Sequence, residues 1–161
     1  MSLFEDNNYR WRETYFVLFQ ESQRPQAEQV KKAIKELDKR YEIRDLSQDD
    51  HGNLESLTLV SPFDFAAMDI TYLAGEDVIE QIGELTREMK DSVLTSEERS
   101  KLARLREFNA RFDVYHFEYI MNGDEQEEDE FLDPGSLLIV LERLARICDG
   151  VSVDPQSGTV L

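Results

Sequence analysis

The chain holds one cysteine, two histidines, four prolines and seven glycines, and each scarcity removes a class of protein. A single thiol, Cys148, cannot close an intrachain disulfide, so the fold has to be held by its core, as in a reducing compartment. The glycines stand at 52, 75, 83, 123, 135, 150 and 158, never closer than eight residues. A dinucleotide GxGxxG or a phosphate-cradling GxxxxGK[ST] needs tighter spacing, so neither is present, and CxxC, HExxH and GxSxG are missing as well. No cofactor is expected. The longest apolar run, "LLIVL" at 137–141, falls far short of the ~20 residues that cross a bilayer. The start shows no charged, apolar, small-residue leader pattern. A cytoplasmic protein without membrane contact is the expectation.

Basic side chains are also scarce: 18 Lys+Arg stand against 35 Asp+Glu, a formal charge of −17. A field of that sign repels phosphate backbones, so direct binding of nucleic acid is not expected. Seven of the acids crowd into residues 122–133, yet setting them aside still leaves −10. What the chain does have is core material. At 40% hydrophobic and 10% aromatic it is too apolar for a disordered acidic tail, and a chain of 161 residues buries roughly 70% of the surface its unfolded form exposes.

Residues 1–13 read as an arm, and Tyr9 and Trp11 give it aromatic surface with which to dock. A domain follows over 14–161. "TYFVLFQ" (14–20) is β-branched and aromatic almost throughout, as a strand covered on both faces would be. After Pro25, the residues Ala27, Val30, Ile34, Leu37 and Tyr41 recur at three- and four-residue intervals and predict a helix. "YEIRDLSQ" and "LESLTLVS" flank "DDHGN", whose Gly52 can take positive φ, so they should form a hairpin with His51 at its tip. "AAMDITYL" alternates and permits one more short strand. Val78, Ile79, Ile82, Leu85 and Met89 mark a helix over 76–90. Thr95 and Glu98 have capping-box spacing at the start of the next. "DVYHFEYI" (113–120) is a strand with Tyr115, Phe117 and Tyr119 on one face and Val114, His116, Glu118 and Ile120 on the other. Asp133 and Pro134 should open the last helix, which stops near Gly150. "VSVDPQSGTVL" adds two short strand pieces around a turn.

This order predicts an α+β fold: a ferredoxin-like α/β sandwich of βαββαβ order over 14–120, its sheet covered on one face, extended over 121–161 by an acidic loop and an appended C-terminal helix and strand. The order resembles those sandwiches, including small regulatory modules of the ACT type. The closing helix, glycine and "VSVDPQSGTVL" are similar to the tails of small uncharacterised bacterial domains. Neither resemblance transfers a functional residue, because no family motif matches at individual positions.

Five features carry chemistry or a bland equivalent. In the acidic loop, Asn122, Asp124, Gln126 and Glu128 alternate as oxygen ligands of a calcium loop do. Glu127, however, stands where the turn needs glycine, and solvated, mutually repelling carboxylates account for the loop equally simply. A weak divalent-cation site or a docking strip for a basic partner are the other readings. His116 and Glu118 share a strand face and could supply two metal ligands or a base and its orienter, with Asp69, Asp45 or Glu42 completing the set. A polar pair on the wet side of the sheet is the alternative. The free amide donors of Asp133–Ser136 could hold an anion, although the neighbouring carboxylates argue for a plain helix cap. Cys148 continues the stripe Leu137, Leu141, Leu144 and reads as a buried small hydrophobe. Finally, more aromatics are present than a one-sided sheet can bury, so an exposed aromatic patch should serve a protein partner or a second copy. The expected function is accordingly a non-enzymatic binding or regulatory module that associates with itself, as a homodimer, or with a protein. A metal-dependent enzyme or cation-binding protein, using His116, Glu118, Asp124 and Glu128, is the alternative. An acidic mimic that inhibits a nucleic-acid-binding protein is the third.

Overall fold

A computed structural model describes residues 3–90, 94–120 and 135–161. The acidic loop, with Asp124 and Glu128, and the Asp133–Pro134 helix start lie outside the described residues.

Each local pattern forms the element its side chains favour. Strand β1 (Tyr9–Phe19) starts earlier than its apolar core suggests. It turns Val17 and Phe19 to one side and Leu18 to the other, all fully buried. Helix α1 (Ala27–Leu37) buries Ala27, Val30, Ala33 and Ile34 along one stripe. Strands β2 (Glu42–Gln48) and β3 (Leu54–Ser61) pair antiparallel, and Gly52 in the connecting turn has φ 82°. Strand β4 (Ala66–Ala74) leads into α2 (Glu76–Lys90) and α3 (Ser96–Arg104). The capping box at α3 is complete: the Glu98 amide donates to Thr95 Oγ1 at 3.1 Å, and the Thr95 amide to Glu98 Oε1 at 3.4 Å. A 3-10 turn (Leu105–Glu107), β5 (Ala110–Tyr119), α4 (Gly135–Ile147), β6 (Val151–Asp154) and β7 (Thr159–Val160) complete the described chain.

The strands form one seven-stranded sheet in the order β2-β3-β4-β5-β1-β6-β7, and every neighbouring pair is antiparallel. The fold is α+β, but it is not the ferredoxin-like sandwich expected from the element order. The reason lies at residues 62–65. Only a 3-10 turn, Pro62–Asp64, joins β3 to β4, and a parallel neighbour would need a crossover of a dozen or more residues. Strand β4, which its alternation merely permitted, must therefore fold back beside β3. It lengthens the hairpin into a meander that ends at β5. Strand β1 then pairs with β5, and β6 and β7 extend the sheet on its far side.

The sheet is also covered on both faces, not one. On the first face α1 and α4 close over Val17, Phe19, Leu59, Met68, Ile70 and Phe112. On the second, α2, α3 and the 3-10 turn close over Leu18, Val151 and Val153. Residues 3–8 return to this second face, where Leu3 packs with Val60, Ala67 and Phe117. Each fully buried Leu, Ile, Val or Phe contributes about 1.5–3 kcal/mol, so the two helix layers, and not any covalent link, hold the sheet. The β2 edge is blunted. Its register breaks after Arg44, and Asp45 sits there at φ 50°, a bulge of the kind that turns an edge away from strand addition.

Candidate functional site

Helices α2 and α3 leave one end of the second face to the arm and to aromatic side chains. The alternation of β5 points Tyr115, Phe117 and Tyr119 to that side, and the register sets Tyr9 opposite Tyr119 and Trp11 opposite Phe117. Phe4, from the arm, stands edge-on to Tyr115 at 5.3 Å and to Phe117 at 4.8 Å between ring centroids. Tyr9 and Tyr119 meet in the same way at 5.4 Å. Edge-to-face pairs of this geometry are favourable in themselves. Four of the largest exposed apolar side chains of the described protein collect here: Phe4 (57% exposed), Phe65 (48%), Trp11 (42%) and Tyr119 (40%).

Phe65 reaches this position at a conformational cost. Its backbone is left-handed, φ 53° and ψ 40°, a region that costs a residue with a Cβ roughly 1–2 kcal/mol. Its carbonyl accepts the Tyr119 amide at 2.7 Å, which ties the turn to β5. A groove of about 300 Å³ lies between Phe65, Tyr119, Tyr9, Pro62 and the side chains of Glu42 and Arg44 on β2. Of the charges lining it, Arg44 bonds Glu42 at 2.8 Å.

Beside the aromatic end, the same face has a polar floor. Asp69 is buried; its Oδ1 accepts the Thr58 hydroxyl at 2.6 Å and its Oδ2 the Leu3 amide at 3.0 Å. A cavity of about 260 Å³ opens between Asp69, Thr58, Thr71, Ser56 and Asp45. One pair further along β5, Asp113 Oδ1 lies 2.8 Å from Arg111 Nε, with the N–H poorly aligned on the oxygen. The Tyr115 hydroxyl reaches Asp113 Oδ2 at 3.2 Å. Burial raises the Asp113 pKa above the usual carboxylate value, outweighing the opposing pull of Arg111. Burial likewise raises the Tyr9 and Tyr115 hydroxyls.

The residues singled out from sequence are placed as follows. His116 is buried at 3% exposure, so its side of β5 is not the wet one. Its Nδ1 lies 3.0 Å from Glu13 Oε1. Glu118 shares the His116 face, as the alternation predicts, but is taken up by Arg10 and Arg12. Asp69, Asp45 and Glu42 belong to the opposite face, on the register that pairs Thr58 with Asp69 and Glu42 with Val60, so the sheet itself separates them from His116. Among the described residues no group of three or more His, Cys, Asp or Glu is gathered closely enough to hold a metal ion. His51 is exposed at the hairpin tip. Cys148 is buried, as its stripe predicts; its thiol donates to the Leu144 carbonyl at 3.0 Å, and burial pushes its pKa up to about 12. The aromatic excess splits: Phe19, Phe112 and Phe117 are fully buried, and the remainder of the exposed set gathers at the β1–β5 end. Sequence reading did not single out Glu13, whose role depends on a pairing 103 residues away. Nor did it find the left-handed Phe65, since nothing in "SPFDFAA" marks a positive φ.

No protein-family model matches the chain, and no curated protein or solved structure matches it significantly. Among the described residues no helix is long and apolar enough to cross a membrane.

Proposed function

We propose that this chain is a non-enzymatic α+β binding module that associates, through the aromatic end of its second sheet face, with a second copy of itself. The observation that carries the reading is Phe65. A bulky residue held in the left-handed region and left 48% exposed is strained, and strain of this kind concentrates at functional positions. The same surface offers a knob, Phe65, and a groove beside it. A two-fold interface requires that self-complementarity. Within the groove the charged lining is one matched pair, Arg44 with Glu42, so a second copy meets no unpaired charge there.

Sedimentation velocity over a wide concentration range tests the reading. A dimer should form and should strengthen between ~0.1 M and ~1 M salt as the mutual repulsion of the acidic bodies is screened. Phe65→Ala or Trp11→Ala should return it to monomer with folding intact. A chain that stays monomeric up to ~1 mM at both salt concentrations overturns the proposal.

An acidic ridge on α2 supports a second function, mimicry of nucleic acid. Glu76, Glu80, Glu84 and Glu88 are all exposed on α2, and a four-residue step advances about 6 Å along a helix. Like charges at that spacing destabilise the helix, and a basic protein laid along them would relieve the repulsion, as in mimicry of a phosphate backbone. Association with basic proteins that weakens steeply with added salt is the expected result; salt-insensitive association rules it out.

A further inference from the structure

A second groove lies at the other end of β5, about 30 Å from the aromatic patch. It runs between α2 and the 3-10 turn after α3, has a volume of about 290 Å³, and is lined by Ile79, Ile82, Gly83, Thr86, Leu105 and Phe108. Ile79 is 51% exposed, an isoleucine left in water on a helix whose other apolar residues, Val78, Ile82, Leu85 and Met89, are buried. Gly83 sits in the middle of α2. A β-carbon added there would meet no atom within 4 Å, so the packing of the chain itself does not require glycine. Glycine in a helix interior lowers stability. What it provides is a bare stretch of backbone at the floor of an apolar groove, where another chain can approach closely.

The rim supplies the partner's chemistry. Arg87 on α2 and Arg106 on the 3-10 turn line the two walls, and both are exposed. Among the described residues neither forms an ion pair or hydrogen bond, although acids outnumber bases 35 to 18 in this chain. Two uncommitted guanidinium groups facing each other across apolar walls fit carboxylates, which arginine binds in a bidentate fork.

We propose that this groove docks a segment of a partner protein that carries an apolar anchor flanked by carboxylates, the anchor entering over Gly83 between Ile79 and Phe108 and the acids pairing with Arg87 and Arg106. The arrangement is that of an amphipathic helix laid in a groove. It makes the protein a two-sided module, with a second copy on one end of the sheet and an acidic segment on the other.

The test uses two short synthetic amphipathic peptides with identical Leu and Phe anchors, one with Glu at every other position and one with Lys, titrated into the full chain by fluorescence anisotropy. Overall charge favours the Lys peptide. The groove favours the Glu peptide, which should bind at least about tenfold more tightly. Gly83→Leu should weaken the Glu peptide by about tenfold or more while circular dichroism and thermal melting remain those of a folded protein. The double variant Arg87→Glu, Arg106→Glu should reverse the preference. Trp11→Ala, at the other surface, should leave peptide binding unchanged, which separates failure here from failure of the self-association reading. Equal or tighter binding of the Lys peptide, no binding of the Glu peptide at ~1 mM, or full affinity in Gly83→Leu would each overturn the proposal.

Discussion

The backbone amide of Leu3 donates to the Asp69 carboxylate at 3.0 Å, joining residues 66 positions apart. The same carboxylate accepts the Thr58 hydroxyl on its other oxygen, so one buried side chain fastens the arm to the middle of the sheet. Asp69→Ala should cost about 1–3 kcal/mol, because it leaves a buried donor without its acceptor, and should expose the arm to proteolysis. Asp69→Asn, which keeps an acceptor, should lose less. Urea unfolding together with limited proteolysis decides it: full stability and a protected arm in Asp69→Ala would show that Leu3 is anchored by packing alone.

His116 and Glu13 form the corresponding link on the opposite face, between β5 and β1 at 3.0 Å. Glu13→Ala should destabilise by roughly 1–3 kcal/mol, by stranding a ring nitrogen in a buried site. Glu13→Gln should recover most of that loss. Equal losses in the two variants would assign the effect to side-chain packing and not to the hydrogen bond.

Asp113 makes stability depend on pH with a definite sign. Its carboxyl pKa is raised in the folded chain, first by burial, so folding favours the protonated form. The resulting stabilisation is fully present below the unfolded pKa of about 3.9 and is lost as pH rises through the folded value. The stability of the parent relative to Asp113→Asn should therefore decline as pH rises above the unfolded value of about 3.9. Denaturant titrations of both proteins across that window measure it; a relative stability that climbs with pH would mean that Arg111, not burial, governs the group.

Two glycines should respond oppositely to alanine. At Gly83 the added methyl is unopposed, and the gain in helix propensity should stabilise by about 0.5–1 kcal/mol, raising the melting temperature by a few degrees in a chain of this size. At Gly150, just beyond α4, a β-carbon would lie 2.4 Å from the Leu18 carbonyl oxygen and 3.1 Å from Phe19 Cβ. Either β1 or the end of α4 must shift, at about 1–3 kcal/mol. Thermal melts that order the variants otherwise would place the α4–β1 contact differently from the structure.

Much of the local structure is legible in the amino-acid order. The stripe Ala27, Val30, Ile34 specifies α1, the Thr95–Glu98 pair specifies the start of α3, and the alternation around Tyr115, Phe117 and Tyr119 assigns each to its observed face. These signals survive because they depend on neighbours a few residues away. The candidate surfaces are less legible. Aromatic excess announces a patch, but its location depends on the Trp11–Phe117 pairing. His116 and Glu118 share a face, as the strand rule requires, but their partners are not legible: Glu13 engages one while Arg10 and Arg12 engage the other.

The amino-acid order alone therefore determines which segments coil, which extend, and that the chain is an acidic body around an apolar core. Strand order, the second helix layer and the identity of each carboxylate's partner were decided only by tertiary structure. The physical reason is range: helix stripes, caps and strand alternation are satisfied within a few residues, whereas β4's place between β3 and β5 and the bond from Leu3 to Asp69 come from closing long loops and burying both sheet faces together, terms that no short window of sequence contains.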